Sequence, residues 1–62
     1  MPMSPKQMVK YLETNGFIEE RQNGSHKFFR NKKTGKTTTV PMHVKDLKIG
    51  TKNKILKDAG LK

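Results

Sequence analysis

Histidine is the side chain whose charge changes most readily near neutral pH, and this chain carries two, His26 and His43. His26 closes the stretch Asn23-Gly24-Ser25-His26, in which Asn-Gly is the strongest short signal for a tight hairpin. The spacing predicts His26 on the first residues of a strand, just past that turn. From there an imidazole could take the proton of a ribose 2′-hydroxyl as that oxygen attacks the adjacent phosphate, or could protonate the leaving oxygen. Lys27 and Arg30 are the local cations that would stabilise charge growing on the phosphorane. Chemistry that needs the 2′-hydroxyl is confined to RNA. The plainer reading is a half-exposed strand residue beside a turn. One histidine by itself is a weak signal.

Few other groups compete with it. There is no cysteine, so a disulfide and a thiolate metal site are both ruled out. Glu19 and Glu20 are neighbours on a predicted strand and point to opposite faces, so they cannot jointly hold a metal. Asp46 and Asp58 are each isolated among lysines. A site of His26, His43 and one acid matches no metal-ligand spacing, so neither a metal nor another cofactor is expected. His43 follows the proline that should end a strand, and reads as a loop histidine, an auxiliary group at most.

The surroundings of His26 are strongly cationic. Lys and Arg outnumber Asp and Glu by 14 to 5, a net charge of +9. Lys6 and Lys10 against Glu13, Glu19 and Glu20 leave the first twenty residues at −1; the other twelve cations against Asp46 and Asp58 leave the remainder at +10. Such a field attracts and steers a polyanion, either nucleic acid or an acidic protein. A chain of 62 residues is expected to form one domain over 1–62 with a thin core. Its apolar runs are too short to cross a membrane, no secretory signal pattern opens it, and the lack of cysteine fits a reducing cytoplasm.

The elements that must position these groups follow from periodicity. Ser4-Pro5-Lys6-Gln7 opens a helix, with Ser4 as N-cap, Gln7 closing a capping box, and Met3 and Met8 placed for a hydrophobic staple. Met8, Val9 and Leu12 share a face, and Gly16 with Phe17 ends the helix. The period then changes to extended. Phe17 to Gln22 and His26 to Asn31 read as strands around the Asn23-Gly24 turn. Lys33-Thr34-Gly35 reads as a second turn, followed by a strand over Thr37-Thr38-Thr39-Val40 that Pro41 ends. In the connection after it, Leu47 and Ile49 are expected in the core. A second helix should start at Thr51 as N-cap and close on Ala59-Gly60-Leu61. The order is α-β-β-β-α, an α+β fold with a three-stranded antiparallel sheet and two helices on one face.

A second constellation sits at that last helix. Lys52 and Lys54 fall in its predicted first turn, where the helix dipole disfavours cations, with Lys45 and Lys48 just upstream. Sharing a phosphate with the free N–H groups would relieve the conflict, and a solvated lysine-rich turn is an equal alternative. Phe28 and Phe29 are adjacent, so one faces the helices and the other outward. This aromatic-poor pattern lacks the paired stacking platform of single-strand binders.

Taken together, Gly16-Phe17, Arg21-Gln22-Asn23-Gly24-Ser25-His26, Val40-Pro41, Lys45-Asp46-Leu47, Gly50-Thr51 and Ile55-Leu56-Lys57-Asp58-Ala59-Gly60-Leu61 resemble a HicA-type toxin, the mRNA interferase of a bacterial type II toxin–antitoxin pair. The resemblance runs over nearly the whole chain. It implies a fold like the double-stranded RNA-binding domain and a metal-independent endoribonuclease with His26 as its catalytic residue. It also implies a HicB-type antitoxin that covers the site. The basic residues Lys27, Arg30, Lys45, Lys48, Lys52 and Lys54 are the candidates for meeting RNA. Two readings compete: a non-catalytic double-stranded RNA-binding module, and an element whose charge serves an acidic antitoxin.

Overall fold

A computed structural model describes residues 3–62. Of the single domain expected over 1–62, residues 1 and 2 lie outside the described part. The chain runs α1 (Pro5–Thr14), β1 (Phe17–Asn23), β2 (His26–Asn31), β3 (Thr37–Pro41) and α2 (Ile49–Asp58). The strands form one antiparallel sheet in the order β1-β2-β3. Phe17, Phe29 and Val40 project from one side of it into a core completed by Met8 and Leu12 of α1, Leu47, and Ile55 and Ala59 at the end of the chain. The other side of the sheet carries no helix. Its β2 residues are His26, Phe28 and Arg30, because side chains alternate along a strand and Phe29 points inward.

Local chemistry sets the helix ends. Ser4 Oγ accepts from the Gln7 N–H at 3.2 Å, and Gln7 Oε1 accepts from the Ser4 N–H at 2.8 Å, the reciprocal capping box that the sequence predicts. Met3 is half-buried against the core cluster that contains Met8. Its carbonyl accepts from the Leu47 N–H at 2.7 Å, which fixes the connection that crosses the domain. At the other end, Leu61 N–H donates to Leu56 O at 2.8 Å and Gly60 N–H to Lys57 O at 3.0 Å. Both bonds of a Schellman close are present, with Gly60 at φ 73°.

Three expectations need correction. The hairpin loop is Gly24-Ser25, not Asn23-Gly24: Asn23 pairs with His26, and Gly24 takes the positive φ of 61° at the first loop position. Pro41 ends β3 as expected, being its last residue, and lies opposite His26. The ladder bond at this end runs from Met42 N–H to Ser25 O at 2.6 Å, flanking the His26–Pro41 pair, so that pair draws no donor from proline. Helix α2 begins at Ile49 with Lys48 as N-cap, and Thr51 lies inside it. Leu47 is buried and tied to Met3, so the chain turns helical directly after it, before Thr51 is reached. Ile49 is therefore 76% exposed and not in the core.

Asn31, only 8% exposed, holds the β2–β3 turn to α1. Its Oδ1 accepts from the Lys33 and Thr34 N–H groups at 2.9 and 3.2 Å, and its Nδ2 donates to Asn15 O at 3.2 Å. Asn31→Ala is expected to lower stability by about 1–3 kcal/mol, measured as a shift of the urea midpoint. A loss below about 0.5 kcal/mol would show that the amide does not brace the turn.

Candidate active site

His26 is exposed at the first position of β2, on the helix-free side of the sheet. The two-residue hairpin leaves no slack before it, and the pairing with both Asn23 and Pro41 fixes its direction. On the β3 side it opens onto a cavity of about 350 Å³. Sheet residues His26, Thr39 and Pro41 form one wall, and Thr51, Lys54 and Asp58 of α2 form the other. Positions 51, 54 and 58 are spaced three and four apart, so they lie along one stripe of the helix.

A second cavity of about 260 Å³ adjoins it and shares Pro41 and Thr51 as lining. Its other polar groups are His43, Asp46 and Lys48. The two histidines meet across the ridge between the cavities, with ring centroids 5.8 Å apart and planes at 60°. Ser25, the second residue of the hairpin loop, places its Oγ 3.3 Å from His43 Nδ1. Two imidazoles and a hydroxyl are thus gathered at one end of the sheet, beside two lysines of the α2 region.

The whole of this arrangement falls within a recognised family. Residues 5–61 match the model described as the HicA toxin of bacterial toxin–antitoxin. The chain belongs to the HicA toxin family. It is a toxin of a toxin–antitoxin system, and the α-β-β-β-α order is the family's fold, of double-stranded-RNA-binding-domain type. Family membership implies an antitoxin partner and an RNA substrate. No curated protein sequence matches the chain. Among the described residues no helix is long and apolar enough to cross a membrane, and no three His, Asp or Glu side chains are grouped to hold a metal ion.

The structure sorts the cations that the sequence nominated. Lys54 lies in the His26 cavity and Lys48 in the His43 cavity. Lys45 lines a separate hollow with Ser4 and Lys6, and Lys52 is half-buried on α2 outside the linings of both histidine cavities. Lys27 and Arg30, expected beside the reacting phosphate, are committed elsewhere. Lys27 shares the inward-facing side of β2 with Phe29, and its Nζ is 3.3 Å from Glu19. Arg30 donates through Nε to Glu20 Oε2 at 2.6 Å on the open side. That hydrogen bond holds the Glu20 carboxyl below the ordinary carboxylate range and raises Arg30 further. Neither cation lines a cavity with His26.

A bulge explains this diversion. Register shifts between Glu19 and Arg21, so Glu20 is an extra residue on β1. Arg21 then stands opposite Phe28, with its guanidinium 4.5 Å from the ring centroid. The outward phenylalanine is half-buried and covered on that face, which removes it as an open stacking surface. A further hollow of about 450 Å³ is lined by Asn53, Lys54 and Lys57 of α2 and by Lys62, and holds no imidazole or carboxylate side chain.

Sequence reasoning named His43 only as an auxiliary group and did not name Ser25, Thr39, Thr51 or Asp58 in any site. The antiparallel register of β2 and β3 is the signal for His43. Once Pro41 lies opposite His26, Met42 lies opposite Ser25, and His43 follows it directly.

Proposed function

We propose that this toxin is a metal-independent endoribonuclease that cuts mRNA with His26 as a catalytic proton carrier. The observation that carries the reading is the exposed imidazole of His26 in a cavity walled by Lys54 and the α2 surface. An RNA phosphate drawn into this cavity would meet the Lys54 ammonium, with Asp58 beside it on the same wall, and the imidazole of His26 from the other. The 2′-hydroxyl of the preceding ribose attacks the phosphorus, and the oxygen of the next nucleotide leaves. Lys54 and Lys48 stabilise the added negative charge, Lys52 adds to the cationic surface of α2, and Lys45 adds charge from the separate hollow it shares with Lys6. Lys27 and Arg30 contribute to RNA attraction through their charge, from beyond the reacting phosphate. The partner is a HicB-type antitoxin that covers the histidine end of the sheet. The +10 balance of residues 21–62 suits an inhibitor that presents acidic groups there.

The test is incubation of the purified chain with single-stranded RNA in excess EDTA. Cleavage that persists in chelator and leaves 2′,3′-cyclic phosphate ends is expected. A single 2′-deoxy substitution at the cleaved nucleotide should stop it. Ends carrying a free 3′-hydroxyl would refute attack by the 2′-oxygen. Tight binding to double-stranded RNA without cleavage would establish the non-catalytic module instead.

A further inference from the structure

We propose that His43 is the second proton carrier of the reaction, working as the acid–base complement of His26 and anchored by Ser25. The inference rests on the reading of His26 as a catalyst of RNA cleavage, and it supplies what that reading lacks. Transesterification needs a proton removed at one oxygen and another delivered at a second. One neutral imidazole takes the proton from the 2′-hydroxyl as the O2′–P bond forms. The other, protonated, gives its proton to the 5′-oxygen as the P–O5′ bond breaks. One proton is transferred overall, no oxidant or metal is consumed, and the products are a 2′,3′-cyclic phosphate and a 5′-hydroxyl.

The geometry favours His43 for the second role. General acids and bases act within about 2.6–3.2 Å of the atom they serve, so both groups must reach a single phosphodiester. Ring centroids 5.8 Å apart permit that, and the shared lining of Pro41 and Thr51 makes the two cavities neighbours across the same ridge. Ser25 engages Nδ1 of His43, which leaves Nε2 to face a substrate. A hydroxyl can donate to a neutral imidazole nitrogen or accept from a protonated one. The Ser25 contact therefore survives both protonation states, as a group that cycles between them requires. A carboxylate in the same place would favour the charged form alone.

His43 is exposed and outside the core, so packing does not explain its position. The charged groups that line its cavity are Asp46 and Lys48, and those that line the His26 cavity are Lys54 and Asp58.

The pH dependence of single-turnover cleavage decides the matter. The wild-type rate should fall on both sides of an optimum, one side belonging to each histidine. His43→Ala and the isosteric His43→Asn should lower the rate by about 10²–10⁴-fold and abolish one of the two sides. Affinity for an RNA carrying 2′-deoxyribose at the cleaved position should change by less than about threefold, since the lysines that hold phosphate are untouched. Retention of both sides with a rate loss under about tenfold would overturn the proposal. So would a loss of affinity as large as the loss of rate, because that assigns His43 to binding. Either result, with cleavage still abolished in His26→Ala, sinks the His43 role alone. Cleavage at the wild-type rate by His26→Ala, or none by the wild type, sinks the reading of His26 as a catalyst of RNA cleavage and this proposal with it.

Discussion

His26→Ala is expected to reduce RNA cleavage by at least about 10²–10⁴-fold while the protein stays folded and still binds RNA. The magnitude is that of a lost general acid or base. Folding should survive because the imidazole is exposed, belongs to no core cluster and makes no hydrogen bond among the described residues that truncation would orphan. Surface changes of this kind move stability by about 0.5 kcal/mol or less. RNA affinity should survive because phosphate attraction comes from Lys48, Lys54 and the remaining cations, all retained. The measurements are single-turnover cleavage, circular dichroism, and binding to an uncleavable 2′-deoxy-substituted RNA. His26→Ala cutting at the wild-type rate would remove His26 from the chemistry.

Phe29→Ala should have the opposite signature, with the fold lost and activity lost only in consequence. Phe29 is 1% exposed and sits on the central strand, where it meets both helices' apolar residues in the single core. Truncating a buried phenylalanine costs about 3–5 kcal/mol, transfer and cavity terms together. A core this small rarely supplies more than about 3–5 kcal/mol in total. The variant should therefore be largely unfolded at 25 °C, with loss of the far-ultraviolet signal and no cooperative melt. Its neighbour provides the control. Phe28 is half-buried beneath Arg21, so Phe28→Ala forfeits mainly that contact, worth about 0.5–1 kcal/mol, and should still melt cooperatively. A cooperative Phe29→Ala domain within about 1 kcal/mol of wild type would show that the core is not organised around this ring.

The two variants separate what the residues say locally from what they say together. The Ser4–Gln7 capping box, the Gly60 close and the alternation that turns Phe29 inward were legible because each depends on a few consecutive residues. The start of α2 was not. Thr51 is a good capping residue, yet Lys48 caps the helix without a side-chain bond, because the burial of Leu47 and its tie to Met3 outweigh a capping preference of about 1 kcal/mol. The hairpin was legible as a turn and misread by one residue: Asn23 joins β1, and the loop shrinks to Gly24-Ser25, with Ser25 placed against His43.

By itself the sequence determined the α-β-β-β-α order, the cationic balance, the resemblance to the family and the nomination of His26 as the candidate catalyst. The order and the charge follow from residue type, period and short spacing, whereas the catalytic role of His26 is what the family resemblance implies. Only the tertiary structure decided what surrounds His26. It brought His43 within 5.8 Å, put Lys54 and Asp58 across a cavity, and turned Lys27 and Arg30 away to Glu19 and Glu20. Those neighbours depend on strand register, on one extra residue in β1 and on the seating of α2 against β3. Register and seating are set by burying one shared core, and no local stretch of the chain encodes where that core will place a residue seventeen positions away.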